Sequence, residues 1–171
     1  SLTCLPKTAW PPTSSRNFYP DANSTMRLSF GTVCGYTPFD GAEYDYYTTT
    51  KGVLEKVKAH VGDVDFAVQP EVLSLLSSDN FGRYADEKGE MKVCFISNND
   101  ITGGNSGSAM FNSKGELLGL AFDGNWEAMG SDILYEPKMQ RTIGVDVRYI
   151  LFMIEKYGKA GNLIQELNIL N

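Results

Sequence analysis

Between Met91 and Phe122 the chain alternates short β-favouring runs with glycine-rich turns, and this stretch limits the fold more than any other. A strand is expected from Met91 to Ser97. It is followed by Gly103-Gly104-Asn105-Ser106-Gly107-Ser108. Ala109–Phe111 and Glu116–Phe122 then flank Asn112-Ser113-Lys114-Gly115, a four-residue connection with glycine last that reads as a hairpin. Further β-favouring runs are expected at Leu28–Val33, Glu43–Thr49, Asp65–Val68 and Thr142–Val145. Thr48-Thr49-Thr50-Lys51-Gly52 reads as a turn closing one of them.

Helical spacing enters in two places. Pro70 suits a first helical turn, with Val72, Leu75 and Leu76 on one face. Val147, Ile150, Leu151 and Ile154 repeat at helical spacing up to Gly158, a helix stop, and Leu163, Ile164, Leu167 and Leu170 form a second short helix. Short strands followed by terminal helices suggest a mainly β fold, a barrel or sandwich with helices at its end. Residues 1–16 read as an irregular leader rich in Pro, Ser and Thr, and ordered structure is expected over residues 17–171 as one domain.

Composition narrows the function. With 171 residues, 42% hydrophobic and 21% charged, the chain fits one globular domain or a large part of one. The net charge of −6 and the lack of any basic run argue against a nucleic-acid surface. No segment approaches the ~20 apolar residues of a membrane span, and Ser1–Trp10 lacks the plan of a signal peptide. Three cysteines (Cys4, Cys34 and Cys94) show no zinc or redox spacing, and a single histidine, His60, rules out a His-rich metal centre. No metal or cofactor is expected.

The glycine-rich segment carries the chemistry. A serine hydroxyl attacks only when a base takes its proton and backbone amides receive the oxyanion. Glycines on both sides of Ser106 permit a sharp turn open to an approaching carbonyl, in which the amides of Gly104 and Ser106 aim at one point. On composition alone a connector is the commoner reading of such a loop. The α/β-hydrolase elbow fits less well, because it needs glycine at position 108 and a helix where this sequence has a hairpin.

Four segments in order resemble the bacterial dipeptidyl-peptidase 7 family: Tyr19-Pro20-Asp21-Ala22-Asn23-Ser24-Thr25-Met26-Arg27, Ser97–Ser108, Gly119–Met129 and Arg141–Tyr149. The resemblance implies the nucleophile-bearing second barrel of a trypsin-like (chymotrypsin-like) serine peptidase that releases dipeptides from free peptide N-termini. On that basis Ser106 is the nucleophile, Gly104 and Ser106 supply the oxyanion-hole amides, Asp123 receives the substrate's α-amino group, and Gly124 lines the pocket for the residue before the cleaved bond. It also implies a periplasmic or cell-surface enzyme whose catalytic His and Asp lie in an upstream barrel, beside a helical domain. This chain contains no such region, so the chain alone is expected to be inactive. A non-catalytic barrel that binds peptide ends is the competing reading. Acid-selective members carry arginine where Gly124 stands, so an apolar residue is expected before the cleaved bond.

Other residues have blander readings. His60 lies in a polar segment and is expected to be solvated. Cys94 is expected to be a small buried residue, and a Cys94/His60 pair has little support. Asp63 and Asp65 suggest a solvated turn before a cation site. Trp126 and the tyrosines are read mainly as packing residues. Asn23-Ser24-Thr25 fits a glycosylation sequon by chance.

Overall fold

The structure is a computed structural model that describes Met26, residues 28–130 and residues 136–170. The expected leader over residues 1–16, Cys4 and the Asn23-Ser24-Thr25 sequon lie outside the described residues. Five strands form, β1 (Tyr47–Thr49), β2 (Lys92–Ser97), β3 (Ala109–Phe111), β4 (Leu117–Gly124) and β5 (Thr142–Asp146). They make one sheet in the order β1-β2-β5-β4-β3. β1 and β2 run antiparallel, with Tyr47 opposite Phe95 and Thr48 opposite Cys94. The hairpin forms as its turn residues dictate. Gly115, at φ +79°, donates its amide to Asn112 O at 3.0 Å, a conformation that favours glycine.

The expected barrel needs correction. Among the described residues the sheet is open, with β1 and β3 at its two ends. Both end strands have three residues, too little edge to close a ring of tilted strands. What forms is a mainly antiparallel sheet with helices, α1 (Thr50–Ala59), α2 (Pro70–Ser77), α3 (Val147–Phe152) and α4 (Gly161–Gln165). The helix α1 replaces the turn expected at Thr48–Gly52. Its Val53 and Leu54 face apolar partners, and that burial outweighs the weak turn signal of three threonines. Likewise Asp65–Val68 is no strand. The Asp63 carboxylate accepts from Asp65 N at 3.0 Å and winds Val64–Phe66 into a single 3₁₀ turn. Leu28–Val33 contributes only a one-residue bridge, Val33 to Ser97.

The chain divides into two compact units. One comprises Tyr47–Phe95, Met110–Gly119 and Val145–Asn171. Its core gathers Leu76, Phe81, Tyr84, Met91, Leu151, Phe152 and Ile164. Phe81 and Tyr84 meet Phe152 edge-on at 5.7 and 6.0 Å, each buried ring contributing about 1.5–3 kcal/mol. Helix α3 starts on Asp146, whose carboxylate accepts from Arg148 N at 2.9 Å and from the Arg148 guanidinium at 2.6 Å. It runs on through a π turn, Met153–Tyr157, and stops at Gly158, where any side chain would meet Ile154 O at 2.8 Å.

The other unit comprises Ser1–Tyr46, Ile96–Ala109 and Leu120–Gly144. Hydrogen bonds hold it together. Thr142 Oγ1 donates to Asn99 O at 2.7 Å, Ser29 Oγ to Asp100 O at 2.9 Å, and Cys34 N to Ile96 O at 3.2 Å. Arg141, 6% exposed, lays its guanidinium over the Tyr36 ring at 5.3 Å and donates to Gly35 O, Pro137 O and Gln140 O. This unit carries the glycine-rich segment.

Candidate active site

The loop after β2 is folded by its own side chains. Asn105 Oδ1 accepts from Thr102 N at 2.9 Å and from Thr102 Oγ1 at 3.3 Å, while Asn105 N returns a bond to Thr102 O. Gly104 and Gly107 take φ values of +91° and +84°, which an L side chain would resist. The turn is then sewn to β4. Gly107 N donates to Ala121 O at 2.7 Å, and Ala121 N donates back to Ser108 O at 2.8 Å.

These constraints set Ser106 on the surface at the mouth of a cleft of about 230 Å³. Its hydroxyl donates to Phe122 O at 3.2 Å, a main-chain acceptor. The amides of Gly104 and Ser106 donate to no acceptor among the described residues. Asp123 and Gly124, which follow Phe122 on β4, line the same cleft. The Asp123 side chain is exposed, and its Oδ1 accepts from Gly124 N at 2.7 Å. A Cβ placed on Gly124 would come within 2.9 Å of Ala128 Cβ. Thus three of the four residues singled out in the sequence, Ser106, Asp123 and Gly124, line one cleft, and Gly104 lies two positions before Ser106 in the same loop.

Trp126 does not act as packing. It is 82% exposed on the 3₁₀ turn Trp126–Gly130, beside an equally open Met129. The turn buries Ala128 in its place, at 9% exposure. His60 lies at the end of α1, with Nδ1 bonded to Lys56 O at 3.0 Å and its ring stacked on Phe66 at 4.0 Å. Cys34 and Cys94 are free thiols. Burial, with the Asp146 carboxylate adding to it, pushes the Cys94 thiol up, so it is not a ready nucleophile. Asp63 serves as the cap of its turn. Among the described residues no cluster of His, Cys, Asp and Glu is able to hold a metal, and no helix is long and apolar enough to cross a membrane.

Residues not anticipated from the sequence brace the cleft, and one of them, Asn125, also lines it. Asn125 Nδ2 donates to Glu127 Oε2 and to Met139 O, both at 2.8 Å, and Asn125 Oδ1 accepts from Arg141 N at 2.8 Å. Glu127 Oε2 also takes the Tyr36 hydroxyl at 2.9 Å, and burial, reinforced by Glu127, raises the Tyr36 pKa and keeps it a phenol. The only hint in the sequence was an Asp-Gly-Asn run, whose ordinary reading is a turn.

Comparison with known proteins returns a consistent answer. The profile of peptidase S46 matches residues 7–169. A dipeptidyl-peptidase 7 of Porphyromonas endodontalis is 58% identical over 155 residues, covering 91% of this chain and 19% of that protein. An Asp/Glu-specific dipeptidyl-peptidase of Capnocytophaga gingivalis is 45% identical, covering 91% of this chain and 22% of that protein. The crystal structure of Porphyromonas endodontalis DPP11 in complex with the dipeptide Arg-Glu superposes with a TM-score of 0.81 at 43% identity, over 88% of this chain and 21% of that one. The chain therefore spans about a fifth of the length of these relatives.

Proposed function

The chain belongs to the peptidase S46 family, and on that footing we propose that it is the nucleophile-bearing part of a serine-type dipeptidyl peptidase acting on peptides with a free N-terminus. One observation carries the reading: Ser106, Asp123 and Gly124 line a single cleft, with the Gly104 and Ser106 amides unoccupied beside the hydroxyl. The relatives' names and the Arg-Glu dipeptide of the solved structure support a peptide as the ligand.

In this reading Ser106 Oγ leaves its resting bond to Phe122 O, passes its proton to a base, and bonds to the carbonyl carbon of the second substrate residue. The oxyanion is received by the Gly104 and Ser106 amides. The C–N bond breaks as the base returns the proton to the leaving amine, and water then releases the dipeptide from the serine ester. His60 is bonded and stacked elsewhere, so base and orienting acid come from an upstream barrel of the parent protein, beside its helical domain. There, in this reading, strands from the rest of the parent protein close the open sheet described above into the second barrel of a chymotrypsin-like fold. We place the parent enzyme in the periplasm or at the cell surface.

Asp123 fixes the length of the product. Its exposed carboxylate faces the cleft from the strand that also carries Ser106's acceptor, so an ammonium group bound there sets the distance to the attacked carbonyl. Such a charge-assisted hydrogen bond contributes about 1.5–3 kcal/mol, or roughly ten- to a hundredfold in kcat/KM. The parent enzyme is expected to prefer free over N-acetylated substrates by that factor, and Asp123→Asn to lose most of the preference. A wild type indifferent to acetylation contradicts the reading.

Gly124 sets the side chain accepted before the cleaved bond. With no cation there, an acidic side chain would lose hydration at a cost of a few kcal/mol, whereas an apolar one gains about 1.5–3 kcal/mol by burial. Apolar second residues are therefore expected to be cleaved best. Gly124→Arg is expected to shift cleavage toward Asp and Glu, and more so with Ala128→Gly, which removes the methyl 2.9 Å from the new Cβ. A panel of dipeptide substrates differing in the second residue reads this directly. Equal cleavage after Asp and Leu by the wild type contradicts it.

A further inference from the structure

The segment that carries Asp123 runs in β4 as far as Gly124, between β5 and β3 in the sheet, and two attachments outside the strand ladder bracket it. At its start, Gly107 N bonds Ala121 O and Ser106 Oγ bonds Phe122 O, tying it to the nucleophile loop. Beyond that point Asp123 makes a local bond to Gly124 N, and Gly124 has no side chain to anchor anything. The second attachment is Asn125. Its amide N donates to Arg141 O at 2.9 Å and its Oδ1 accepts from Arg141 N at 2.8 Å, a closed two-bond ring with one residue of the facing segment. Its Nδ2 uses both hydrogens, on Met139 O and on Glu127 Oε2. Arg141 in turn is fixed by three main-chain carbonyls, Gly35 O, Pro137 O and Gln140 O.

We propose that Asn125 is the positioning residue that fixes the separation between the Asp123 carboxylate and Ser106, and so the fidelity with which two residues are removed. Asn125 lines the same cleft, but its side-chain donors and acceptor are committed to Met139, Glu127 and Arg141, so it acts through Asp123. The inference rests on the reading of Asp123 as the ammonium anchor. Aspartate is the informative replacement. It has the same shape and still accepts from Arg141 N, but it loses both donors and sets a second carboxylate against Glu127. The segment then loses its attachment just past Asp123, where β4 ends, while the Ser106 end keeps its own bonds.

The experiment uses the longer parent protein and compares Asn125→Asp with wild type on matched free and N-acetylated peptides. Discrimination between the two is expected to fall about tenfold, carried mainly by a higher KM for the free peptide, since a shift near 1 Å in a positioning group has effects of this order. The rate of fluorophosphonate labelling at Ser106 should fall by less. Products longer or shorter than a dipeptide should appear on mass spectrometry. If labelling, kcat and melting temperature fall together while discrimination holds, Asn125 has only a structural role and the proposal is overturned. Unchanged discrimination in a folded variant overturns it too. A wild type without discrimination removes the Asp123 reading itself, a separate result. Should Asn125→Asp not fold, Glu127→Ala, which removes one of the four bonds, is expected to lower discrimination about threefold, and no change there is equally decisive.

Discussion

Assayed by itself, the 171-residue chain is expected to release no dipeptide at an enzymic rate, and His60→Ala is expected to change nothing. His60 is the only histidine, and its ring is committed to Lys56 O and to the face of Phe66. The Ser106 hydroxyl meanwhile donates to a main-chain carbonyl, which cannot take its proton. Loss of the base from a serine triad lowers kcat by roughly 10⁴- to 10⁶-fold, leaving what the oxyanion donors and binding supply. The check is a fluorogenic dipeptide assay on the chain and on the longer parent protein at equal concentration. Turnover by the chain that vanishes in His60→Ala would overturn the assignment of the base to another part of the parent.

Gly119→Ala is expected to unfold the unit that contains it, or to lower its stability by about 3 kcal/mol or more. A methyl on Gly119 would lie 2.1 Å from Val145 O and 2.9 Å from Phe95 Cε1. Val145 O is main chain in β5, so relief requires the strand pair to separate, unlike a collision with a flexible side-chain tip. Gly103, where a Cβ would meet nothing within 4 Å, is the control, and Gly103→Ala should alter stability by less than about 1 kcal/mol. Urea unfolding followed by circular dichroism separates the two. A Gly119→Ala variant as stable as wild type would mean that β4 and β5 sit farther apart than described.

Local signals carried much of this structure. The hairpin at Asn112–Gly115, the helix opened by Pro70 and the stop at Gly158 each depend on a residue whose backbone preference is decided within a few positions, and all three form where the sequence placed them. Helix α1 was hidden because its threonine-rich start reads as a turn. Its stability comes from Val53 and Leu54 meeting residues more than twenty positions away, which no local pattern reveals. A barrel was one of two architectures that the pattern of short strands allowed and the one that the resemblance implied, and the five strands, with three-residue ends, form an open sheet.

The site divides in the same way. Ser106 and its flanking glycines stand out because the required backbone is local and unusual. Asp123 and Gly124 emerged only from resemblance, since an exposed aspartate beside a glycine has an ordinary turn reading. Asn125, Glu127 and Arg141 gave no signal beyond an Asp-Gly-Asn run with an ordinary turn reading, because their hydrogen bonds join positions that the fold alone brings together.

The central claim is that Ser106 is the attacking residue, and covalent labelling tests it most directly. The longer parent protein is treated with a fluorophosphonate probe, digested, and the adduct located by mass spectrometry. The oxyanion is to be held by the amide of the nucleophile itself, and Ser106 N donates to no acceptor among the described residues, whereas Ser108 N is already bonded to Asn105 O at 2.9 Å. The adduct is therefore expected on Ser106, lost in Ser106→Ala and kept in Ser108→Ala. Labelling that survives Ser106→Ala and disappears in Ser108→Ala would contradict the account.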